Sequence, residues 1–101
     1  MNSLPVTIDQ DELAEFCRKN GIRRLSLFGS VLRGDFSPES DVDMLVEFNP
    51  EKRIGLMGMV ELERQLSQLL NRKVDLNTEE DLSRYFVDQV LQEARPVYVA
   101  A

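Results

Sequence analysis

Asp41 and Asp43 stand two residues apart at the entry to an apolar run, Val42 to Phe48. In an extended segment, side chains at that spacing project from one face. Two carboxylates about 4 Å apart repel by roughly 4 kcal/mol at an effective dielectric near 20, so a cation between them is the natural compensation. Oxygen donors of this kind suit Mg²⁺ or Mn²⁺, which keep several waters and complete their shell with phosphate oxygens. Two solvated charges at a strand end are the plainer alternative. A third carboxylate, Asp75, lies in Lys73-Val74-Asp75-Leu76, which reads as a short strand. If that strand lies beside residues 42–48, three carboxylates could hold two metals about 3.5–4 Å apart, the spacing used for in-line phosphoryl chemistry. Otherwise Asp75 is an exposed charge on a strand edge.

Gly29-Ser30 supplies features of a phosphate site. Glycine lets a backbone approach an anion closely, and the turn that follows presents N–H groups. The same pair is also a common strand exit. Arg33 could reach a phosphate or pair with Asp35. Gly34 reads as a tight turn, Asp35 as its cap, and Ser40 as a residue that could orient Asp41. The stretch from Phe28 to Glu47 therefore reads as strand exit, phosphate-binding turn and carboxylate-bearing strand.

The remaining segments must position that stretch. Ile8 to Asn20 reads as a helix, with Asp9 and Glu12 as a capping box and Ile8 and Leu13 as a hydrophobic staple. Leu13, Phe16 and Cys17 share a face, and Gly21 is the stop. Arg23 to Phe28 reads as a strand, with Leu25 and Leu27 opposed to Arg24, Ser26 and Phe28. Val31 to Gly34 reads as a short helical turn and Phe36 to Ser40 as a loop. Leu56 to Asn71 carries Met59, Leu62, Leu66, Leu69 and Leu70 at helical spacing, opposite Glu61, Arg64, Gln65 and Gln68. A further helical stretch runs from Glu79 or Glu80 to Ala94 with a possible break. Phe86, Val90 and Leu91 are its expected buried side, Pro96 ends it, and Val97 to Val99 could add a strand. This order predicts an α/β (α+β) fold, a small mixed sheet with flanking helices.

Composition bounds the chemistry. The 101 residues suffice for one compact domain, 1–101, with a formal net charge of -6. A protein that grips a long nucleic acid normally shows a basic face, so none is expected as partner. A small nucleotide is compatible with the acidity, since bound cations supply positive charge locally. With no histidine and the single Cys17, a Cys/His zinc site and Ser-His or Cys-His catalysis are excluded within one chain. No basic leader, signal-length apolar run or bilayer-length segment is seen, so the expected location is the cytoplasm, without a membrane.

Together, Gly29-Ser30, Arg33-Gly34-Asp35, Ser40-Asp41-x-Asp43 and Val46 resemble the signature of the DNA polymerase beta-like nucleotidyltransferase superfamily. They are closest to its minimal nucleotidyltransferases, with Asp75 arriving on a later strand as it does there. The resemblance implies a sheet of about four strands and Mg²⁺-dependent transfer of a nucleoside monophosphate from a nucleoside triphosphate to a hydroxyl. It implies that Asp41 and Asp43 ligate two Mg²⁺ ions, with Mn²⁺ a possible substitute. Asp75 would ligate the ion at the acceptor and could take its proton. Gly29 and Ser30 would hold the β- and γ-phosphates. Minimal members are often paired with a HEPN-domain toxin, and some transfer AMP from ATP onto a toxin tyrosine. That implies an antitoxin in a hetero-oligomer. Neutralisation by contact alone and transfer to a small molecule such as an antibiotic are the alternatives.

Overall fold

The computed structural model describes residues 8–29, 41–82 and 87–100. Helix α1 spans Gln10–Lys19. It starts where Asp9, in extended backbone, accepts the Glu12 N–H on Oδ1 at 3.0 Å, satisfying one of the orphan donors of the first turn. Asp11 and Glu12 in the first turn and Arg18 and Lys19 in the last complement the helix dipole. The chain leaves through Gly21 at φ 69°, a left-handed conformation that costs a residue without Cβ little. Leu13 and Cys17 are fully buried.

Four strands, β1 (Ile22–Phe28), β2 (Val42–Phe48), β3 (Val74–Asn77) and β4 (Arg95–Val99), form one sheet in the order β3-β2-β1-β4. β1 pairs antiparallel with β2 and β4, while β2 and β3 are parallel. The mixed sheet expected from the sequence is therefore present. Its strands alternate between two apolar layers. Leu25, Leu27, Val42, Met44 and Val46 enter the main core with residues of α1 and of helix α2, Leu56–Leu70. Phe28 and Leu45 face the other way and pack with Val90 of helix α3, Val87–Glu93. The α2 stripe is as expected: Leu62, Leu66 and Leu70 are buried, and Met59 and Leu69 pack against the core. On the exposed side, Glu61 accepts from Arg64 and Gln65, which hold its carboxyl down at about 2.

Several boundaries differ from the sequence reading. β1 starts at Ile22, where a register irregularity separates it from Arg24. The possible break in the stretch after Glu79 is present: a single 3₁₀ turn, Glu79–Asp81, precedes α3. Thr78 and Asp81 cap the start of that turn reciprocally, and Leu82 ends it by returning to extended backbone at φ -84° and ψ 147°. Leu91 is 42% exposed rather than buried. Val90 is the residue that docks on Phe28 and Leu45, and the next position on a helix is turned about 100° away. α3 stops at Glu93, and Pro96 lies inside β4, an edge strand where a missing N–H is tolerated. The expected turn 31–34, the loop 36–40 and Phe86 lie outside the described residues.

Burial pushes the Cys17 thiol up to about 12. An unfolded thiol ionises near about 8.5. Above that pH the unfolded chain loses a proton that the folded chain keeps, so stability falls as pH rises, by at most about 1.4 kcal/mol per unit. We expect the urea midpoint to drop more steeply from about pH 9 upward in the wild type than in Cys17→Ala. Parallel slopes in the two proteins would contradict the buried, neutral thiol.

Candidate active site

The site is built by strand direction. β1 and β2 run antiparallel, so the end of β1 lies beside the start of β2, with Phe28 paired to Asp43. β2 and β3 run parallel, so their starts share the same edge, with Asp43 paired to Asp75. Laterally paired residues in a sheet present their side chains on one face. That face is opposite the main core, because Val42 and Met44 on β2 and Val74 and Leu76 on β3 all point into it. Asp41 precedes β2 by one residue, half-buried, and Asp43 is half-buried while Asp75 is exposed.

Gly29 closes the edge from the β1 side. Its φ is 78°, and a Cβ built there would land on the Asp43 carboxylate Oδ2. Two separate requirements thus fall on one residue: left-handed backbone and no side chain where Asp43 stands. The strand exit lies against the carboxylate-bearing strand with a close backbone approach.

Lys73 was not singled out in the sequence, yet its Nζ stands 3.9 Å from Asp41 Oδ2. Lys73 is exposed and Asp41 half-buried, with water reaching both, so the pair contributes at most about 1 kcal/mol and is readily exchanged for another cation. Among the described residues no three Asp, Glu, Cys or His side chains stand close enough to hold one ion. The donor chemistry fits a hard divalent cation. Asp41, Asp43 and Asp75 offer carboxylate oxygens and no thiolate or imidazole, and they start adjacent strands at one edge. Ser30, Arg33, Gly34, Asp35 and Ser40 lie outside the described residues.

Two further residues missed in the sequence bear on Asp75. The Val74 N–H donates to Ser67 Oγ at 3.0 Å, and the Leu76 N–H donates to Glu63 Oε2 at 2.8 Å. Both acceptors come from α2. The available signal was their four-residue spacing beside the apolar stripe, which places them on one flank of that helix. A groove of about 820 Å³ lies elsewhere, between Phe48, Lys52, Met59 and the 79–81 turn. It is lined by none of Gly29, Asp41, Asp43 or Asp75.

A family model described as nucleotidyltransferase domain matches residues 11–97. The protein adenylyltransferase MntA of Thermococcus cleftensis is 38% identical over 94 residues, covering 93% of this chain and 88% of that protein. Among solved structures, a chain of a toxin–antitoxin crystal structure with AMP-PNP shares the fold at a TM-score of 0.72. It is 22% identical, and the match covers 92% of this chain and 75% of that one. A complex of tri-AMPylated Shewanella oneidensis HEPN toxin with MNT antitoxin aligns at a TM-score of 0.63 and 22% identity, covering 90% and 70%.

The Gly29 geometry gives a direct test. In Gly29→Ala, left-handed backbone would cost about 1–2 kcal/mol, and the new methyl group would displace Asp43. We expect denaturant unfolding to show that loss of stability. Gly29→Ala as stable as the wild type would contradict the close approach.

Proposed function

Since the chain belongs to the nucleotidyltransferase domain family, and is itself a nucleotidyltransferase of the minimal type, we propose that it transfers AMP from ATP to a hydroxyl of a HEPN-domain partner protein. The observation that carries this reading is the register that pairs Asp43 with Asp75 beside Gly29. The similarity to a named protein adenylyltransferase along most of its length supports AMP as the transferred group. The likeness in fold to a chain of a complex between a tri-AMPylated HEPN toxin and an MNT antitoxin supports the partner class.

Asp41, Asp43 and Asp75 would hold Mg²⁺, with Mn²⁺ as a substitute. When bound, the ions supply charge neutralisation at the triphosphate and acidify the attacking hydroxyl. The chain's own residues do the rest. Gly29 and Ser30 receive the β- and γ-phosphates, and Arg33 adds charge to that end. Ser40 steadies Asp41. The acceptor oxygen, a tyrosine hydroxyl in this reading, forms a bond to the α-phosphorus. The bond from that phosphorus to the bridging oxygen breaks, and pyrophosphate leaves. Asp75 accepts the hydroxyl proton. The chain thereby acts as an antitoxin, because the attached phosphate adds bulk and negative charge where the toxin must bind RNA phosphates.

Asp43→Asn keeps the shape and removes the charge. We expect it to fold, with an apo melting temperature equal to or above that of the wild type, because it relieves repulsion in an acidic cluster. Transfer should fall on the order of a thousandfold, about 4 kcal/mol of barrier. Mass spectrometry of a HEPN partner incubated with ATP and Mg²⁺ should show one or more added AMP units with the wild type. With Asp41→Asn/Asp43→Asn it should show none. If neither protein adds mass and both still inhibit the ribonuclease, the chain acts by binding alone.

A further inference from the structure

β3 is the mechanically weakest part of the site. It is four residues long and, among the described residues, lies at the edge of the sheet with only β2 beside it, in parallel pairing. Parallel pairing is slightly weaker per residue than antiparallel. Along such a strand, alternate N–H groups face away from the neighbour and would ordinarily be left to water. Those of Val74 and Leu76 are instead taken by Ser67 Oγ and Glu63 Oε2. The spacing matches. Four residues of helix rise about 6 Å, and two residues of strand about 6.6 Å, so one helix flank can meet both donors. Ser67 is itself fixed, since its hydroxyl donates to the Glu63 carbonyl at 2.8 Å. On the C-terminal side the Asn77 amide donates to the Asp75 carbonyl at 3.2 Å.

Asp75 lies between the two anchored residues, and its side chain leaves the face opposite α2. Glu63 and Ser67 therefore cannot touch the reacting atoms. We propose that they are positioning residues, which clamp the backbone on both sides of Asp75 and so set where its carboxylate stands relative to Asp43. This inference rests on the active-site reading above. An edge strand free to fray would carry its carboxylate with it, and a displacement near 1 Å is enough to cost about a hundredfold in rate.

The test uses the full chain, with Mn²⁺ binding measured by calorimetry in the presence of AMP-PNP. Amide exchange at Val74 and Leu76 is read alongside it. Glu63→Leu and Ser67→Ala should weaken Mn²⁺ binding roughly threefold to tenfold. They should speed exchange at the amide that has lost its acceptor while leaving the α1 amides protected. Glu63→Gln retains an acceptor oxygen and should stay within about twofold of the wild type. In an Asp75→Asn background, Glu63→Leu should weaken binding no further, because its effect passes through Asp75. An equal loss in both backgrounds overturns the proposal, as that is what a role in general stability gives. Mn²⁺ binding in Asp75→Asn equal to the wild type overturns the assignment of Asp75, and the proposal with it. Normal binding in both Glu63→Leu and Ser67→Ala, with Asp75→Asn impaired, rejects the clamp alone. Ser67→Ala removes only a hydroxyl, so it carries the test if Glu63→Leu does not fold.

Discussion

The charged edge of this sheet depends on the register of β2. On that strand Val42, Met44 and Val46 enter the main core while Asp43, Leu45 and Glu47 face the other way. A slip of one residue would exchange the two sets. It would drive the carboxylates of Asp43 and Glu47 into an apolar layer, at several kcal/mol each even after relaxation. Hydrophobic burial and carboxylate placement are thus one constraint. Strand direction extends it to the neighbours: antiparallel β1 ends beside Asp43, and parallel β3 begins there.

Electrostatics and sterics then meet at a single point. Gly29 admits the Asp43 carboxylate because it has no Cβ, and its backbone is left-handed at φ 78°. Lys73 lies next to Asp41 at 3.9 Å, an exposed ammonium on a half-buried carboxylate. A weak surface pair of this kind is displaced at little cost. A buried arginine in the same place would be far harder to replace.

The apolar periodicities of α1 and α2 and the alternation in β1 and β2 were legible in the sequence because each is decided locally. Leu13 and Cys17, or Leu62, Leu66 and Leu70, announce their face by spacing alone. The placement of Asp75 was legible only as a condition, since nothing within Val74-Asp75-Leu76 says which strand lies beside it. The end of the chain was least legible. Leu91 carries the same apolar signal as Val90, and only the position of Phe28 and Leu45 decides which of them is buried. The possible break after Glu79 was legible, but its position was not: Thr78 and Asp81 cap the start of a single 3₁₀ turn that Leu82 ends in extended backbone. Glu63 and Ser67 look like ordinary polar residues on a helix flank until β3 is placed beside them.

The three aspartates rest on unequal supports. Asp43 lies on a strand bonded on both sides, to β1 and to β3, with apolar layers packed against both of its faces. Asp75 lies on an edge strand of four residues. Local opening free energies track the number of buried contacts and paired backbone groups, so β3 should open long before β2 does. Bonds from α2 shift that balance by tying β3 to a helix whose Leu62, Leu66 and Leu70 are anchored in the main core. The helix therefore does for the outer strand what a fifth strand would do. Unlike a fifth strand, it leaves no new edge with unpaired backbone groups to recruit another chain.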